Sequence, residues 1–273
     1  MFASLLSLPE AVLLGIVEGI TEFLPISSTG HLLFVQELIG LGGKDTTAAD
    51  TYAVAIQFGA ILAVLWLYRS RIGSVLSGAV GRNADGRRLL GNLLVAFVPA
   101  AIVGALAGDA IKEAVFGPVP VVVAWAVGGV ALLVWVPRGG SGSLEQLSWR
   151  SAALVGLAQV LAMWPGVSRS LATLVAGLLL GMSLAAAVEF SFLLGVVTLS
   201  AATVLDLAKH GGDLVDSFGV RAPLVGLFVA FVAAVVAVRW MIEYLNSHSL
   251  RVFGWYRVAV AIVGAAMLAG GLV

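Results

Sequence analysis

The chain contains no cysteine, which excludes disulfides, a thiol nucleophile and a thiolate-bound metal. Charge is almost as scarce: 11% of its 273 residues are Asp, Glu, Lys or Arg, against about 25% in soluble domains. The 15 basic and 15 acidic residues cancel, so no excess of positive charge points to nucleic acid as a partner. A basic n-region is also missing near the first residue, and Met1–Leu8 is expected to be a short lead-in to a helix rather than a cleavable signal.

What the chain has instead is apolar sequence, 60% of its residues, with a mean hydropathy of +1.07. Long runs cover Ala48–Tyr68, Leu89–Gly108, Val119–Val136, Leu184–Leu205, Ala222–Met241 and Val252–Val273. Most approach the roughly 18–20 residues that cross a ~30 Å hydrocarbon layer. The fold class expected is therefore an all-α polytopic membrane protein, a single integral-membrane domain over residues 1–273.

Charge orients the spans. Arg69, Arg71, Arg82, Arg87 and Arg88, then Arg138 and Arg150, then Arg239, Arg251 and Arg257 mark three inner loops. The intervening loops are balanced or acidic: Lys44, Asp45 and Asp50; Asp109, Lys112 and Glu113; Asp206, Lys209, Asp213, Asp216 and Arg221. The positive-inside rule puts the first set in the cytoplasm and the second outside. Six full spans alternate consistently, but Pro9–Leu41 must begin and end outside, and Ser151–Met182 inside. Both are broken by polar, Pro-containing tips, Leu24–Gly30 and Trp164–Ser170. Two re-entrant helical hairpins satisfy the count, since irregular backbone at that depth survives only inside protein or beside a wet cavity.

Short internal matches point to a duplication. Gly15-Ile16-Val17-Glu18 parallels Gly156-Leu157-Ala158-Gln159, and the segment from Gln57 to Leu62 parallels that from Glu189 to Leu194. One hairpin and three spans per half, about 8–137 and 150–273, give halves of opposite orientation. That is the inverted-topology repeat of transporters, whose site lies at the midplane between broken helices.

The chemistry-bearing residues cluster at the tips. Glu18 and Glu22 lie four apart on one helical face, followed by Thr21, Ser28 and His31. Each carboxylate near mid-bilayer costs at least ~2.5–3.5 kcal/mol, so the pair needs a counter-charge. Glu18 and Glu22 beside hydroxyls suit Mg²⁺ or Ca²⁺, which takes hard oxygens and bridges carboxylates to phosphates. His31 suits general acid–base work near neutral pH, while His210 and His248 fall in expected loops. In the second tip, Arg169 demands an anion, and its fork fits phosphate. Ser168, Ser170 and Thr173 add hydroxyl donors, and the helix beginning near Leu171 turns its positive end to the tip. The plain alternative is that Arg169 neutralises Glu18 or Glu22; an ion pair at rest that opens for substrate reconciles the two. Glu189 reads equally well as functional or interfacial. Trp125, Trp135, Trp149, Trp240 and Trp255 fit an aromatic belt. Gly-rich spans such as 254–271 allow close packing, within the chain or between the copies of a homodimer. Together these groups point to phosphate chemistry on an amphiphile that enters from the membrane lipids.

The stretch Glu18-Gly-Ile-Thr-Glu22-Phe-Leu-Pro-Ile-Ser-Ser28-Thr-Gly-His31-Leu32 resembles the first signature of the undecaprenyl-diphosphate phosphatase family, the bacitracin-resistance type. Trp164-Pro-Gly-Val-Ser168-Arg169-Ser170, continuing to Thr173, resembles its second, and Glu189–Leu194 a third block. The similarity runs over nearly the whole chain. It implies a multi-pass enzyme of the bacterial inner membrane, opening to the periplasm, that hydrolyses undecaprenyl diphosphate to the monophosphate and so recycles a carrier for envelope polymers. It further implies a divalent cation at Glu18 and Glu22, a serine nucleophile at Ser28, phosphate binding by Arg169, and roles for His31, Ser168 and Thr173. Leu171 departs from the family's usual Gly and Val197 from its usual Pro; a leucine there is expected either to narrow the phosphate pocket or to change substrate preference. A polyprenyl-phosphate flippase, or a phosphatase for another prenyl diphosphate, would share most of these features.

Overall fold

The computed structural model describes residues 6–41 and 46–273. Lys44 and Asp45, assigned above to an outer loop, lie outside the described residues. Eleven α-helices carry the fold among those described: α1 Leu8–Thr21, α2 Ser28–Leu38, α3 Thr46–Leu67, α4 Arg69–Ala79, α5 Ala84–Val115, α6 Pro118–Val134, α7 Trp149–Val160, α8 Arg169–Leu179, α9 Leu184–Phe218, α10 Arg221–Leu245 and α11 Arg251–Ala269. No strand occurs among the described residues, only a bridge between Gly142 and Met182 that lays the Gly-rich 138–143 loop along the turn after α8.

Five helices, α3, α5, α9, α10 and α11, are long and apolar enough to cross a membrane, whereas α6 has 17 residues. The chain is thus an integral membrane protein. Several expected loops are helix instead. The acidic stretch Asp206–Asp216 continues α9, which has 35 residues, and Asp109–Glu113 continues α5. His210 therefore stands on α9, bonded to Asp206 at 3.3 Å, while His248 follows α10 and meets the Tyr244 carbonyl. The expected inner loop from Arg69 holds the separate helix α4.

Local signals explain how the helices begin. Ser7 and Glu10 form a reciprocal cap on α1, which has Pro9 in its first turn. Ser148 caps α7, and Ser183 caps α9. Between helices that have no water to expel from one another, small residues permit the close backbone approach that holds the bundle. Gly15 and Gly19 of α1 abut the backbone of α10 at Gly226 and Ala230, while Gly156 of α7 abuts that of α5 at Ala96. Gly254 of α11 packs on Gly129 of α6, and Gly264 on Val122 and Phe34. The glycines of α11 considered for a homodimer are thus in part spent inside the chain.

The main apolar core surrounds the two helix breaks, with Phe23, Leu24 and Ile26 of the first packed among Leu174, Phe190, Phe192 and Met241. Of the aromatic-belt candidates, Trp135, Trp149, Trp240 and Trp255 are exposed as a belt requires. Trp125 is not: it is 2% exposed and its indole donates to the Ile26 carbonyl at 3.0 Å. Arg257, assigned above to an inner loop, is 0% exposed inside α11.

Candidate active site

Each polar tip turns on a serine with a left-handed backbone, Ser27 at φ 74° and Ser168 at φ 77°. These are the only non-glycine residues with positive φ among those described, and such strain persists only where the surroundings over-determine it. Here they do. The Gly166 amide donates to the Ser27 hydroxyl at 3.1 Å, and the Ser170 hydroxyl donates to the Leu24 carbonyl at 2.8 Å. The tips are therefore bonded to each other. Each serine immediately precedes a helix, so α2 and α8 both start at this junction.

Glu22 lies at the C-terminal end of α1, where the helix dipole disfavours a carboxylate. Two donors offset this. Arg169 Nη2 reaches Glu22 Oε1 at 3.0 Å with side chains 11% and 5% exposed, and the Ser28 hydroxyl donates to Glu22 Oε2. Arg169 Nη1 donates to the Ser191 carbonyl at 2.9 Å, and its guanidinium lies 5.1 Å over the Phe23 ring. Arg169 Nε is buried with no partner among the described residues. Gly195 of α9 leaves the room: a Cβ there would stand 2.5 Å from Arg169 Cζ.

Two cavities flank this cluster. One of about 310 Å³ is lined by Glu22, Ser27, Ser28, Gln159, Ser168 and Arg169, among others. The second, about 450 Å³, is lined by Glu18 and Ser28 and runs to a mouth at Asp50, Lys112 and Asp206. Ser28, Thr29 and Gln57 border both. Glu18 is 1% exposed, and its Oε1 has no partner among the described residues.

Of the expected site residues, Glu18, Glu22, Ser28, Ser168 and Arg169 meet at these cavities. His31 does not. Its Nδ1 lies 2.7 Å from the Ser27 carbonyl and its Nε2 2.8 Å from the Tyr256 hydroxyl, with the ring between Trp125 and Tyr256. Ser170 and Thr173 support the tips rather than line the cavities: Thr173 Oγ1 bonds the Arg169 carbonyl at 2.9 Å and the Ser191 hydroxyl at 2.7 Å. Glu189 is held by Arg71 at 2.6 Å, beside Glu145, and lines neither cavity. Leu171 does not narrow the phosphate side; it faces a separate apolar groove between α6 and α8.

The sequence match to known proteins is extensive. The family described as Bacitracin resistance protein BacA matches residues 11–263. The chain belongs to this family. It is 44% identical to undecaprenyl-diphosphatase 2 of Rhodospirillum rubrum over 98% of each chain, and 44% identical to undecaprenyl-diphosphatase 1 of Chromobacterium violaceum over 97% of each. An undecaprenyl-diphosphatase of Methylococcus capsulatus is 45% identical over 97% of this chain and 96% of its own. The two motifs that carry the family resemblance, 18–32 and 164–173, are the two tips that the fold brings together.

Residues that sequence reasoning missed are those whose partners lie far along the chain. Gln159, 2% exposed with an unpartnered Nε2, borders the first cavity and accepts from Thr198. Its spacing from Glu18 equals that of Gly156 from Gly15 and of Ser168 from Ser27, so the internal match did signal it. Gly195 and the Ser191 carbonyl, which shape the Arg169 seat, left no such mark. The second internal match, Gln57 with Glu189, departs from this spacing, which pairs Gln57 with Thr198 instead.

Proposed function

We propose that the chain hydrolyses undecaprenyl diphosphate to undecaprenyl phosphate and inorganic phosphate, returning a lipid carrier to cell-envelope synthesis. The observation that carries the reading is the meeting of two broken helices at which Arg169 and the Ser28 hydroxyl engage one buried carboxylate, Glu22. The names of the relatives supply the substrate.

Phosphoryl transfer needs little covalent help from the protein beyond positioning and charge neutralisation. Arg169, with its open Nε, and the starts of α2 and α8 bind the diphosphate oxygens. Ser28 Oγ gives its proton to Glu22 and forms a bond to the terminal phosphorus, while the bond to the bridging oxygen breaks and the prenyl monophosphate leaves. Water then cleaves the phosphoserine. In this scheme Ser168 borders the phosphate, and Ser170 and Thr173 hold the tip.

The donors fit a divalent cation. Glu18 has a buried, unpartnered carboxylate oxygen, and Glu22 and Ser28 add hard oxygens. No group of three or more His, Cys, Asp or Glu occurs among the described residues, so phosphate and water would complete the set around Mg²⁺ or Ca²⁺. Such an ion, held by Glu18 and Glu22, would neutralise charge developing on the phosphates. The test is phosphate release from undecaprenyl diphosphate by detergent-purified protein, with and without EDTA, beside Glu22→Ala. Release that EDTA and the substitution both abolish is the expected result. No release from folded protein with added Mg²⁺ or Ca²⁺ would overturn the reading.

The topology that supports this chemistry is six spans and two re-entrant hairpins in an inverted repeat, in the inner membrane, with the site open to the periplasm. Support comes from the shared spacing of the two halves and from the packing of α1 on α10 and α7 on α5. The mouth at Asp50, Lys112 and Asp206 belongs to segments that the positive-inside rule puts outside. Because the chain lacks cysteine, Arg82→Cys and Asp213→Cys can be labelled with an impermeant maleimide. Reaction of both from the same side would break the topology.

A further inference from the structure

Arg257 is among the most buried side chains of the protein, yet it faces no carboxylate within ion-pair distance among the described residues. Burying an unpaired guanidinium costs several kcal/mol unless its donors are satisfied. Both of its Nη groups are spent on backbone, while Nε has no partner among the described residues. Nη1 donates to the carbonyls of Pro25 at 3.5 Å and Val167 at 3.2 Å; Nη2 donates to those of Gly166 at 2.9 Å and Ala124 at 2.8 Å. Pro25 belongs to the first tip, Gly166 and Val167 to the second, and Ala124 to α6. One planar fork thus grips both tips and fastens them to the bundle. Tip carbonyls lack helical partners, so such backbone survives only where protein groups or a wet cavity satisfy it. Arg257 borders neither cavity that holds the reacting groups, so any effect on the reaction passes through the tips.

We propose that Arg257 is a positioning residue for the phosphatase reaction: it fixes the register of the two tips that lets Arg169 and Ser28 share Glu22. This rests on the reading of the site given under Proposed function. A lysine keeps the charge but presents a single point of donors in place of a fork. Gly128 offers an independent handle. A Cβ there would stand 3.0 Å from Arg257 Cζ and 3.1 Å from Nε, so Gly128→Ala pushes the guanidinium aside without removing it or touching either tip.

The experiment measures kcat and KM for phosphate release by Arg257→Met, Arg257→Lys and Gly128→Ala, together with amide hydrogen exchange. A displacement of the reacting groups by about 1 Å predicts that Arg257→Met loses about 100-fold in kcat, with KM within about threefold. Arg257→Lys retains part of the grip and loses about tenfold. Amides of residues 22–30 and 163–171 exchange about tenfold faster in both tips at once, while α3 and α9 are unchanged. Normal kcat in Arg257→Met, or exchange that quickens evenly along the chain, overturns the proposal. If Arg257→Met does not fold, unchanged kcat and unchanged tip exchange in Gly128→Ala overturn it. If the wild-type protein releases no phosphate, the functional reading fails by itself, and tip exchange that stays unmoved in the variants still overturns the tether.

Discussion

The two tips are built on one plan and filled with opposite chemistry. Each breaks a helix at a serine of positive φ and starts a new helix at the next residue. At that next position the first tip has Ser28 and the second Arg169; where α1 ends the first carries Glu22, and one turn earlier Glu18 stands where the second has Gln159. The first tip is therefore acidic and nucleophilic, the second cationic. A strained scaffold used twice needs no new backbone to bring two such sets face to face: the bonds from Gly166 to Ser27 and from Ser170 to Leu24 lock the halves together. Placing the acid in one tip and the cation in the other gives Glu22 its counter-charge across the junction.

Removing the group unique to the first tip is expected to do most damage. Ser28→Ala should lower kcat about 10⁴-fold or more if its oxygen attacks phosphorus, read by phosphate release, with no phosphoserine detectable on the variant. Retained activity would assign the attack to water. Removing the cation of the second tip comes next: Arg169→Ala should cost about 10³-fold in activity. It also strands Glu22 at a cost of roughly 3–5 kcal/mol. The double variant Arg169→Met with Glu22→Gln should regain thermal stability and none of the activity. A gentler disturbance is Gly195→Ala, whose new Cβ would stand 2.5 Å from Arg169 Cζ and 2.6 Å from Nη2. Displacing the guanidinium without removing it should cost about 10–100-fold in kcat.

Much of this comparison was legible in the sequence, because both tips interrupt long apolar runs and polar groups in such places are costly. The spans, the breaks and the cluster of Glu18, Glu22, Ser28, Ser168 and Arg169 follow from that alone. The length of the apolar run misled where a helix outlasts the apolar layer: α9 continues through Asp206 and Asp216 because helix needs no hydrophobic surface once it leaves the membrane. Charge misled at Arg257, since the positive-inside rule counts arginines without knowing which ones carbonyls can satisfy. His31 shows that adjacency in sequence does not fix which way a ring turns. Three residues from Ser28 it is close in sequence, but its ring is taken by the Ser27 carbonyl and by the hydroxyl of Tyr256, 225 residues away.

The smallest expected effect tests whether supporting hydroxyls in the second tip are as indirect as their geometry implies. Thr173 is 1% exposed and lies outside both cavities. Its hydroxyl is spent on the Arg169 carbonyl and the Ser191 hydroxyl, which keeps a second bond to the Ser170 carbonyl at 3.3 Å. Thr173→Val preserves shape and removes one buried hydrogen-bonding group, so stability should fall by about 1 kcal/mol, seen as a lower midpoint in thermal unfolding. Activity should stay within about threefold, because Arg169 keeps its bonds to Glu22 and the Ser191 carbonyl. A loss approaching that of Arg169→Ala, in a variant of near-normal stability, would mean that the tip rearranges on binding to present Thr173 to phosphate. The division between one reacting residue and its supports in the second tip would then have to be redrawn.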